Sequence, residues 1–102
     1  MKRYFEERIA ACKERKAALL ADGREDEAVF EQVRGNVFDI FQTVWNLNRG
    51  TEFFQEKLTT IPMNWHMSAM KAKDYGDVKA VTLETIKLET VQEIRVALEE
   101  RI

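Results

Sequence analysis

The sequence predicts an all-α fold: a compact four-helix up-down bundle with short loops, its third helix kinked or broken at Pro62. Three observations lead there. Apolar residues recur at spacings of three and four along most of the chain, the period of one helix face. Breaks in that pattern fall at Gly23, Gly50 and Gly76, where glycine can take the left-handed conformation that ends helices. Four Gly and one Pro are too few for the many turns of an all-β domain. At 102 residues the chain has the length of one domain, 1–102. That length buries a core without disulfide or metal staples.

The first helix is expected over residues 2–21. Phe5, Ile9, Cys12 and Leu19 form its apolar stripe, with Tyr4 and Leu20 alongside. Lys16 interrupts the stripe, and its aliphatic stem can lie over the core with the charge outside. In ADGRED, Asp22 and Gly23 stop this helix. Glu25, Asp26 and Glu27 then crowd the next first turn, facing the positive end of the helix dipole. Asp22 and Glu25 also stand at capping-box spacing.

The second helix, residues 24–48, carries the strongest pattern. Phe30, Val33, Val37, Ile40, Val44 and Leu47 step by three and four in an unbroken heptad seam. Phe38, Phe41 and Trp45 make a second stripe beside it. A helix so apolar must be contacted along two faces, which makes it the centre of the bundle. Gly35 inside it costs about 1 kcal/mol of helix propensity relative to Ala. Close approach of a neighbouring backbone is the expected reason for it.

NRGT opens the third helix, residues 51–75, with Gly50 left-handed and Thr51 as a cap. DYGD opens the fourth, residues 77–101, with Gly76 closing one helix and Asp77 capping the next. Val91, Ile94, Leu98 and Ile102 make a clean stripe there. The TIKLETV run alternates as a short strand would, but no turn signal follows Asp77, so a long helix is expected.

The inventory excludes most chemistry. Isolated glycines cannot form a phosphate-cradling loop. One His and one Cys cannot build a four-ligand zinc site. A bundle di-iron centre needs Glu-x-x-His on two helices, and the residue three before His66 is Met63. Cys12 with His66 is the one nucleophile pair the inventory permits. Cys12 on the core stripe reads instead as a small hydrophobe. No catalytic residue, cofactor or metal is therefore expected, and the chain reads as a non-enzyme.

Charge and hydropathy narrow the partners. A hydrophobic fraction of 45% with 33% charged residues fits neither a membrane protein nor a disordered chain. The net charge of -2 gives no general attraction to nucleic acid or anionic lipid. The basic cluster Lys13–Lys16 belongs to a segment, 1–24, with seven Lys/Arg and four Asp/Glu, net +3. Residues 25–48 carry one and five, net -4, so the two helices offset each other as a hairpin. The first twenty residues are charged throughout, unlike a signal peptide. A single cysteine forms no internal disulfide, so a cytoplasmic location is expected.

That leaves IPMNWHMSAM, Ile61 to Met70, with the only proline, the only histidine and three of four methionines. Pro62 removes the helical hydrogen bond to the carbonyl of Leu58 and pushes Ile61 from helical angles. Thr59 or Thr60 can cap a second piece beginning there. On that piece Met63, Met67 and Met70 share one face, with His66 at its edge. Trp65, Ala69 and Ala72 lie nearly opposite. A helix on one side of a small bundle needs only one apolar face. The methionines either fill a gap left by the proline or meet a partner. The expectation is a helical interaction module whose face of Met63, His66, Met67 and Met70 meets a protein partner, first of all a second copy in a homodimer. The alternative is a small-ligand protein with an apolar pocket near Trp65 and His66.

Overall fold

Helical period and glycine stops produce four α-helices: α1 (Lys2–Ala21), α2 (Glu25–Asn46), α3 (Thr51–Asp74) and α4 (Val78–Arg101). They are seen in a computed structural model that describes residues 1–101. Ile102, the last residue of the α4 stripe, lies outside the described residues. The run TIKLETV lies within α4 as helix. α1 and α2 form one hairpin, α3 and α4 another, and α2 packs on α4 to join them. The resulting body is flattened, 39 × 35 × 21 Å.

Both hairpin turns use glycine the same way. Gly23 has φ 73° and Gly76 φ 72°, the left-handed region where a Cβ is penalised. After α1, the Arg24 amide donates to Leu19 O at 2.8 Å and that of Gly23 to Leu20 O at 3.1 Å. After α3, the Asp77 amide donates to Ala72 O at 2.8 Å and that of Gly76 to Lys73 O at 3.1 Å. Each pair satisfies carbonyls orphaned at a helix end. Asp77 then caps α4, its Oδ1 accepting from the Ala80 amide at 3.0 Å. The capping box expected at Asp22 and Glu25 does not form. Asp22 is taken up by the end of α1, and Arg24 stands at the N-cap of α2 without a side-chain bond. Gly50, rather than Thr51, is the N-cap of α3.

The core gathers Tyr4, Phe5 and Cys12 of α1 with Val37, Phe38 and Phe41 of α2. Phe54 and Leu58 of α3, and Val91, Ile94, Ala97 and Leu98 of α4, complete it. Phe54 is its hub. Its ring stacks on Phe5 and on Phe41, centroids 6.0 Å away in each case, and meets the Trp45 edge at 5.2 Å. The heptad seam of α2 is only partly buried: Ile40 and Leu47 are exposed, while Phe38 and Phe41 are fully covered. Both stripes are apolar, and the approach of α1 and α4 selects the aromatic one.

Gly35 faces the side chain of Cys12 on α1. A Cβ built at Gly35 would lie 3.5 Å from the Cys12 Cβ, an ordinary van der Waals contact. The approach is close but leaves room for a methyl. Gly35→Ala is therefore expected to stabilise the protein by roughly 0.5–1 kcal/mol through helix propensity alone. Chemical denaturation would read this as a higher midpoint; a lower midpoint would show that the contact is too tight.

α3 is one helix across Pro62, not two pieces. Pro62 itself is buried, and the carbonyl it leaves without an amide finds another donor. Arg95 of α4 donates from Nη2 to Leu58 O at 2.7 Å. A charged donor from the facing helix thus replaces the missing amide.

Candidate interaction face

The face begins with the geometry of α3. Its N-terminal half is held from Phe54 through Leu58 to Pro62, all buried. Beyond Pro62 the inward line continues with Trp65, Ala69 and Ala72, each half-buried. A helix advances 100° per residue, so Met63, Met67 and Met70 fall on the far side. They are 56%, 66% and 69% exposed. His66 is exposed at their edge. Met63, His66, Met67 and Met70 are thus all exposed, and the methionines fill no gap in the core. Tyr75 and Val78, at the turn into α4, are also largely exposed.

Trp65 faces away from the methionines. Lys87 of α4 holds its ammonium 5.7 Å from the Trp65 ring centroid, a cation–π contact. The same ammonium donates to Glu84 Oε1 at 3.0 Å. Glu84 Oε2 is buried and, among the described residues, has no hydrogen-bond partner. Trp65 and His66 therefore serve different sides of α3. A cleft of about 630 Å3 opens elsewhere on the surface, beside Tyr4, Arg8, Val96 and Arg101.

The nucleophile pair permitted by the inventory is not assembled. Cys12 is buried between α1 and α2, while His66 is exposed on α3. Burial pushes the Cys12 thiol above its usual pKa, against the lowering effect of Arg34. A buried thiol so shifted is a poor nucleophile at neutral pH. Among the described residues, no group of three His, Cys, Asp or Glu is placed to hold a metal ion.

The basic cluster of α1 is met from α2. Lys16 donates to Gln32 Oε1 at 2.6 Å, and Arg15 lies 3.8 Å from Glu31. Sequence reading missed the next link, which joins α2 to α4. Arg34 grips both oxygens of Glu93, at 2.9 and 3.0 Å, and lies 3.4 Å from Glu31. Burial works against the Arg34 charge, but the Glu93 and Glu31 carboxylates together raise its pKa. Arg34 Nη2 thus ties α2 to α4 through a charge-assisted contact. The signal was present only as an unpaired arginine in the acidic α2 segment.

No helix is long and apolar enough to cross a membrane among the described residues. No family model, curated protein or solved structure matches the chain.

Proposed function

We propose that this chain is a non-enzymatic helical interaction module that self-associates as a homodimer through the outer face of α3. One observation carries the reading. Met63, Met67 and Met70 point away from a core that is complete without them, and each is more than half exposed. Single exposed apolar residues are ordinary, but a contiguous row is the mark of an interaction surface. Methionine suits such a surface because its unbranched, polarizable side chain adapts to what it meets. The buried, unpaired thiol of Cys12 fits a reducing compartment, and a cytoplasmic location is part of the proposal.

Sedimentation at micromolar concentration tests it. The wild-type protein is expected to sediment as a dimer, and Met67→Asp as a folded monomer. Met67 is 66% exposed, so its replacement should leave the helical circular dichroism unchanged. A wild-type monomer would remove the proposal. Loss of fold in Met67→Asp would place that residue in the core instead.

A further inference from the structure

The heptad seam of α2 does not stop where α2 stops. It steps by three and four from Phe30 to Leu47. The same alternation runs on through Thr51, Phe54, Leu58, Ile61 and Trp65 of α3. Two helices separated by a turn need share no register, whereas one continuous helix must keep it to present a single apolar seam. Ile40 and Leu47, the seam residues nearest the turn on the α2 side, are exposed.

The turn is a short departure from helix. Leu47 is still helical, with φ -66° and ψ -18°, so Asn48, Arg49 and Gly50 alone part α2 from α3. Asn48 holds φ 57° and Gly50 holds φ 91° with ψ 166°. The first is a left-handed conformation disfavoured for residues with a side chain; the second is open essentially to glycine alone. No proline precedes Pro62, so none bars a helix through the turn.

The contacts between the two hairpins all join a residue before this turn to one after it. Phe54 meets Phe5, Phe41 and Trp45, Arg101 lies over Tyr4 at 5.0 Å, and Arg34 bonds Glu93. A second copy carries the same groups in the same arrangement, so each contact can form between copies as well as within one.

We infer that Leu47–Gly50 is a hinge across which two copies exchange their α3–α4 hairpins, α2 and α3 of each copy merging into one helix. Exchange keeps the inter-hairpin contacts, releases the left-handed residues of the turn and sets the exposed end of the α2 seam beside the second copy. The freedom lost on pairing opposes it, so dilution favours the closed form. Both hairpins must part before they exchange, and the pair therefore forms slowly, on refolding at high protein concentration. No methionine of α3 takes part, and the inference stands independently of the face proposed above.

Refolding followed by sedimentation tests the hinge, with Met67→Asp carried in every chain so that the α3 face contributes nothing. Gly50→Ala penalises the closed turn and favours the merged helix, and should raise the dimer fraction several-fold over Met67→Asp alone. Asn48→Ala, at an exposed position, should act in the same direction and carries the test if Gly50→Ala does not fold. A run of glycines inserted after Arg49 relaxes the turn and should return the chain to monomer. A folded monomer in the alanine variants would overturn the inference.

Reversed charges then show whether hairpins have changed places. Arg34→Glu and Glu93→Arg, each added to the hinge variant, set like charges against each other within one chain. Only an exchanged pair of the two different chains restores both ion pairs, position 34 of each meeting position 93 of the other. Refolded together, they should give the mixed dimer several-fold over either self-paired dimer in native mass spectrometry. Random pairing would overturn the exchange while leaving the α3 face untouched.

Discussion

Phe54→Ala is expected to lower the stability of the protein by about 3–5 kcal/mol, the range for removing a buried aromatic ring. The residue is 1% exposed and touches rings contributed by α1 and α2. It is the main contact of α3 with the first hairpin, because α3 lies otherwise against α4. Neighbours that stack on it from two helices cannot both collapse into the vacated space, which places the cost toward the upper end. Urea unfolding would read the loss directly. A change below about 1 kcal/mol would show that the aromatic cluster rearranges freely. A domain of this size has roughly 5–15 kcal/mol in all, so the variant is expected to be partly unfolded at physiological temperature.

The second large effect belongs to Arg95. Arg95→Ala removes the donor at 2.7 Å from the Leu58 carbonyl and leaves a part-buried acceptor without a partner. The expected cost is about 1.5–3 kcal/mol, as for a hydrogen bond with a charged partner. A double-mutant cycle isolates its cause. In Pro62→Ala the amide of residue 62 can bond the Leu58 carbonyl, so Arg95→Ala should cost clearly less in that background. Equal costs in both backgrounds would mean that Arg95 acts through packing of its stem, not through the vacancy left by proline.

The two residues also show where sequence reading stopped. That Pro62 leaves the Leu58 carbonyl open follows from proline chemistry alone. A kink or a break in the helix was the reasonable expectation, since nothing local can replace the amide. The replacement comes from 37 positions away, and α4 offers several cations with no local mark to distinguish Arg95. Helix ends were legible because glycine signals act within a few residues, as at Gly23 and Gly76. Interior faces were less so. Ile40 and Phe38 both sit on apolar stripes of α2, and only the placement of α1 and α4 decides which is covered. On α3 the opposition of Trp65 to the three methionines was legible from spacing. Their exposure was not, because it depends on the absence of a fifth helix on that side.

The uneven burial along the second hairpin has a consequence for its motions. Its buried residues end at Pro62 on α3 and begin at Thr90 on α4. Between them, residues 63–89 hold only half-covered contacts and a turn. The free energy of local opening should therefore fall from the body toward Gly76, so that the tip frays without the rest unfolding. Amide exchange would quicken along the methionine segment and be fastest at the Gly76 turn. Anything that settles on that segment must first still it, and the entropy so lost sets how weakly it can be held.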